Sequence, residues 1–147
     1  MSGGRVAILI AVVAGIGGGF QAAISGVFGR RIGVLEATAF LAVLGASVLL
    51  AVALVARGPA GIVGGFGQPP WLWLAGPLGA LVVFTLVFAP PRIGTLATVG
   101  LLIAGQLAAA ALIDMVGMFG IERVPLTAAR VAGLGLLAAG AVMILRR

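Results

Sequence analysis

Five uninterrupted apolar runs, each close to the length that crosses a lipid bilayer, constrain this chain more than any other feature. A helix rising 1.5 Å per residue crosses the ~30 Å hydrocarbon core in about 20 residues. The runs are Val6–Phe28, Ile32–Ala56, Trp71–Ala89, Ile93–Ile113 and Thr127–Leu145. They end at Gly29-Arg30-Arg31, Arg57-Gly58-Pro59, Pro90-Pro91-Arg92, Asp114 and Arg146-Arg147. Arginine at bilayer depth costs about 2.5–3.5 kcal/mol on insertion scales, and proline removes a backbone donor, so both belong at span ends. A spanning β-strand would alternate apolar and polar residues over about 10 positions. These runs are continuously apolar, so the sequence predicts an all-α bundle of five transmembrane helices in a single domain over residues 1–147, with no linker.

The charge content agrees. Charged residues make up 8% of the 147, against about 25% in soluble domains, too few to cover a water-facing surface. The net charge of +6 comes from arginines placed singly or in pairs at run ends. That placement anchors helices at lipid headgroups and does not build a nucleic-acid surface. The first run exceeds a signal h-region and lacks a clear cleavage site, so it is expected to remain as a span. Cysteine and histidine are absent, which removes thiol nucleophiles, Cys/His metal clusters and the usual proton shuttle. The three carboxylates, Glu36, Asp114 and Glu122, are far apart in sequence. An enzyme is therefore not expected, nor a cofactor or a metal.

The connections differ in character. Gly29–Gly33 and Pro90–Gly94 read as tight turns, while Gly58–Pro70 is longer and rich in Gly and Pro. Trp71 and Trp73 open the third span where an aromatic belt belongs. Thr127 reads as the N-cap of the last helix. Gly15–Gly19 and Gly133-Leu-Gly135 lie inside spans, either as close-packing contacts or as a bend or cavity lining.

Five spans put the termini on opposite sides. Arg5, Arg57, Arg123 and Arg130 fall on the N-terminal side; Arg30, Arg31, Arg92, Arg146 and Arg147 fall on the other. Four against five is almost no bias for a rule that reads Lys/Arg near span ends. A single orientation with a weak signal is one reading. The favoured one is insertion both ways, with pairing as an antiparallel dimer. Many transporters place a site between inverted halves, and with no second half evident in this chain, an inverted partner chain would supply it.

Polar groups inside the bilayer mark candidate sites. Gln106 lies just past the middle of span four and Gln21 in the latter part of span one. Each is either an interhelical hydrogen bond or a substrate contact at the midplane. Glu36, near the start of span two, is the candidate for ion or proton coupling, or else a headgroup-level partner of Arg30 or Arg31. Asp114 reads as a carboxylate that fixes the loop after span four. Pro77 is expected to kink span three. Thr85, Thr95 and Thr98 are weaker candidates, because a threonine hydroxyl satisfies itself on its own helix.

Several elements carry a resemblance: Pro70-Trp71-Leu-Trp73-Leu-Ala-Gly76-Pro-Leu-Gly79-Ala, Pro91-Arg-Ile-Gly94, Ile103-Ala-Gly105-Gln106-Leu, Leu112-Ile-Asp114-Met-Val-Gly117-Met-Phe-Gly120 and Arg130-Val-Ala-Gly133. The chain resembles the YdcZ-like family of small membrane proteins, in the drug/metabolite transporter superfamily. The N-terminal third matches more loosely, through Gln21-Ala-Ala and the small polar residue Ser25, which joins Gln21 and Gln106 as a substrate-binding candidate. The family often has Asn at Ser25 and His-Phe at Met115-Val116, so a role that rests on that Asn or that His has no matching residue here. The resemblance implies a bacterial inner-membrane protein working as an antiparallel pair or a fused double-length form, with transport by analogy. The expected function is a small-solute transporter, as a homodimer or with a paralogous partner. A non-transporting assembly or regulatory subunit is the alternative. A passive channel fits less well, because the polar residues are too sparse to line a wet path.

Overall fold

The computed structural model describes residues 2–145, the side chain of Ser2 excepted; Met1, Arg146 and Arg147 lie outside the described residues. Five helices are long and apolar enough to cross a membrane. We label the helices α1 (Ser2–Ile32), α2 (Val34–Arg57), α3 (Ala75–Phe88), α4 (Thr95–Val116) and α5 (Ala128–Leu145), α3 being the 14-residue centre of the third span, Pro70–Ile93. A 3-10 segment, Pro70–Leu74, leads into α3, and a helical turn, Pro90–Ile93, follows it.

The sequence places the helices correctly but not every irregularity. Pro77 is the third residue of α3, just after the chain passes from the 3-10 segment into α-helix, and it lies inside the span Pro70–Ile93. Gly58–Pro70, read as a loop, is largely helical turns. The Trp73 indole N–H donates to the Gly65 carbonyl at 3.3 Å, and Phe66 meets Trp73 edge to face. Thr127 caps α5 as expected, its hydroxyl accepting from the Arg130 amide at 3.3 Å.

Two glycines set the architecture. Gly33 (φ 103°, ψ 150°) turns α1 into α2, and Gly94 (φ 88°, ψ 154°) turns the segment after α3 into α4. This region of backbone space is essentially restricted to glycine. The local bonding is the same in both turns. Gly33 N donates to Gly29 O and Ala37 N to Gly33 O; Gly94 N donates to Pro90 O and Thr98 N to Gly94 O. Arg31-Ile32-Gly33-Val34-Leu35 thus recurs as Arg92-Ile93-Gly94-Thr95-Leu96. The chain holds a repeat after all: two helical hairpins, α1–α2 and α3–α4, with their tips on the same side of the membrane.

The hairpins pack about a pseudo-twofold axis. An offset of 61 (94 minus 33) equates Gly26 with Val87 and Gly29 with Pro90. A Cβ on Gly26 would lie 2.9 Å from Pro90 Cβ, and a Cβ on Gly29 would run into Val87 Cγ1. Residue i therefore meets the equivalent of j while j meets the equivalent of i, the signature of a two-fold contact. Glycine lets the backbones approach closely enough for dispersion to hold helices together where lipid supplies no hydrophobic drive.

The buried residues gather at these tips: Ala22 and Ser25 on α1, Ala37 on α2, Leu86 and Val87 on α3, Ala97 and Thr98 on α4. Beyond them, the N-terminal half of α1, the C-terminal half of α2 and the start of α3 are exposed. A Cβ added to Gly15, Gly17, Gly18 or Gly19 would meet nothing within 4 Å, and α1 runs unbroken through them. No neighbouring helix among the described residues reaches these positions within 4 Å, although Gly18 and Gly19 are half-buried. The last helix, α5, packs mainly on α4, with Ile144 Cδ1 3.7 Å from where a Gly100 Cβ would lie.

Candidate functional site

A groove of about 530 Å³ runs between α3 and α4. Leu78, Val82 and Thr85 line it from α3; Thr98, Leu102 and Gln106 line it from α4. The helical period places Leu78, Val82 and Thr85 on one face, and Thr98, Leu102 and Gln106 on the facing one. The threonines are already satisfied. Thr85 Oγ donates to Leu81 O at 2.9 Å and Thr98 Oγ to Gly94 O at 2.8 Å. Gln106 makes no hydrogen bond among the described residues. Its amide, with two donor hydrogens and an acceptor oxygen, is the free polar group in an otherwise apolar groove. No carboxylate and no arginine lines it.

At the end away from the hairpin tips the same α3 face continues into an apolar pocket of about 410 Å³. Leu78 lines both, and the pocket is bounded by Trp71 and Phe119, whose rings stack 5.5 Å apart at 18°. Phe119 is the one non-glycine residue at positive φ among those described (φ 60°, ψ 18°). A bulky residue there costs of order 1–3 kcal/mol and persists only where its surroundings hold it. Here the loop after α4 does so. Gly117 takes the left-handed conformation that ends α4, Arg123 Nε donates to Val116 O at 2.9 Å, and Val124 N donates to Asp114 O at 3.0 Å. Sequence reading missed Trp71–Phe119 as a pair, because the two lie 48 positions apart (119 minus 71) with only a belt signal at one end.

The other candidates are not brought to this groove. Ser25 is buried on α1, and Gln21, one turn earlier, is exposed. Glu36 is exposed at the start of α2 with its carboxylate against Gly33, and neither Arg30 nor Arg31 forms an ion pair with it. Asp114 and Arg130 form an ion pair at 3.6 Å that ties the end of α4 to the start of α5 beside a separate cleft. Both side chains are well exposed, so Asp114→Asn is expected to cost under about 1 kcal/mol of stability in a thermal unfolding series. A larger loss would assign Asp114 a role beyond this pair. Among the described residues, no group of His, Cys, Asp and Glu could hold a metal ion.

A family model described as "Putative inner membrane exporter, YdcZ" matches residues 6–143. The chain belongs to this family. The match takes in all five spans, both glycine turns and the α3–α4 groove. No curated protein and no solved structure matches the chain. The family description is worded "Putative inner membrane exporter", and five membrane-capable helices fit that location.

Proposed function

We propose that this YdcZ-family chain is an exporter of a small solute that works as an antiparallel dimer, with the α3–α4 groove as one half of its substrate site. The observation that carries the reading is Gln106. An amide inside a span, without a hydrogen-bond partner among the described residues and facing a groove, is costly in lipid and is explained by a ligand or a second chain that completes it. The near-equal arginines on the two sides support the inverted pairing. So do Gly15, Gly17, Gly18 and Gly19 on α1, whose Cβ positions have no neighbour within 4 Å among the described residues. In this arrangement Gln21 contributes from α1, and Glu36 couples transport to a cation. The hairpin repeat within one chain is parallel, so an inverted half still comes from a partner, a second copy or a paralogous chain.

The test is the side of each terminus in cells, with a reporter fused to Arg147 and, separately, to Met1, combined with solute efflux from cells expressing the chain alone. Each fusion is expected to report both sides. A single side for each, with efflux retained, would sink the homodimer and leave a paralogous partner. A single side with no efflux from any partner-supplemented strain would favour the assembly-subunit reading.

A further inference from the structure

The hairpin tips carry more positive charge than the packing uses. Arg30 and Arg31 end α1, and Arg92 precedes Gly94. Arg92 is occupied within its own helix end. Its guanidinium donates to Phe88 O at 2.5 Å and lies 3.7 Å from the centre of the Phe88 ring. Arg30 and Arg31 have no such engagement, and neither is paired with a carboxylate among the described residues.

Two adjoining depressions meet at these arginines. The first, about 160 Å³, is lined by Arg30, Gly26, Pro90, Pro91 and Thr95. Its polar members are the Arg30 guanidinium and the Thr95 hydroxyl, which makes no hydrogen bond among the described residues. The second, about 450 Å³, runs along α1 past Ile24, Val27 and Phe28 and ends at Arg31. Ala23 and Val27 belong to both. A cationic polar cleft thus opens directly onto an apolar groove, at the depth where a helix ends and headgroups begin.

We propose that this composite site binds one anionic phospholipid, its phosphate against Arg30 and Thr95 and an acyl chain along Ile24, Val27 and Phe28. Charge complementarity selects an anion, since no acidic side chain lines either depression. Guanidinium is suited to phosphate oxygens through its fork of donors. The apolar extension selects a lipid over a free anion. Because the cleft is walled by α1 on one side and by Pro90, Pro91 and Thr95 on the other, the lipid would join the two hairpins at the point where they cross. This site is separate from the α3–α4 groove and does not depend on the export reading.

The full-length protein in detergent, titrated with dioleoylphosphatidylglycerol or dioleoylphosphatidylcholine and followed by native mass spectrometry, tests the proposal. At least tenfold stronger retention of phosphatidylglycerol is expected. Arg30→Gln should bring that lipid close to the phosphatidylcholine level, and Arg30→Lys should keep part of the preference. Val27→Trp, which fills the apolar groove, should weaken retention with Arg30 intact, so a folding failure of one variant leaves the other to decide. Arg57→Gln, at the opposite face, should change nothing. Equal retention of both lipids overturns the proposal, as does equal loss in Arg57→Gln and Arg30→Gln. Full displacement of phosphatidylglycerol by millimolar inorganic phosphate also overturns it, by showing a free-anion site.

Discussion

Gly29→Ala is expected to destabilise the folded chain by about 1–3 kcal/mol, the usual cost of overpacking, and Val87→Ala in the same chain is expected to restore most of it. The new Cβ would run into Val87 Cγ1, with the Val87 carbonyl oxygen 3.3 Å away. Both groups sit at the hairpin crossing, where Val87 is fully buried and has little room to rotate. Larger residues should fare worse, with Gly29→Leu yielding little monodisperse protein. The measurement is a double-mutant cycle on unfolding midpoints in detergent. Contacting residues give interaction energies of 0.5–3 kcal/mol, whereas independent sites add. Additive losses from Gly29→Ala and Val87→Ala would mean that the crossing is not made at these residues.

Gln106→Leu is expected to abolish export, by tenfold or more in initial rate, while leaving thermal stability unchanged or raising it. The amide has no hydrogen-bond partner among the described residues, so leucine removes a polar group from an apolar groove without breaking a bond seen there. If Gln106 instead locked helices together, its loss would cost about 0.6–2 kcal/mol. Stability and rate therefore separate the two roles. A stable Gln106→Leu variant that still exports at the parent rate would remove Gln106 from the site.

The spans were legible because bilayer insertion is a coarse criterion that continuous apolarity satisfies. Arginine, proline and glycine then marked the breaks for reasons that act locally. The repeat was harder to see. Its sequence traces are short: Arg-Ile-Gly-x-Leu at Arg31–Leu35 and Arg92–Leu96, and Ala-Gly-x-x-Gly at Ala14–Gly18 and Ala75–Gly79. Between these traces, equivalent positions differ where the hairpins cross because they must. Where two hairpins face each other about an axis, a large residue on one needs a small one opposite, so Gly26 and Gly29 answer Pro90 and Val87. Packing complementarity erases the likeness that sequence comparison relies on.

The candidate site was legible in one residue, since an amide inside a span stands out against alanine and leucine. Its setting was not. Phe119 reaches Trp71 only through a left-handed turn at Gly117 and a strained backbone of its own, and neither leaves a periodic signal. Ser25, weighed as a substrate contact, lies in the buried crossing, because a small side chain fits there whether or not it is polar.

α5 adds little to the packed crossing, contributing Ala141 alone to the buried set. What it changes is parity. Four spans would return the chain to the side it started from, and a tandem duplication would then yield two copies facing the same way. With α5 the chain ends across the membrane, so a second copy joined head to tail would insert upside down without any added span. A peripheral helix would in this way decide whether gene fusion produces a repeat or its inverse.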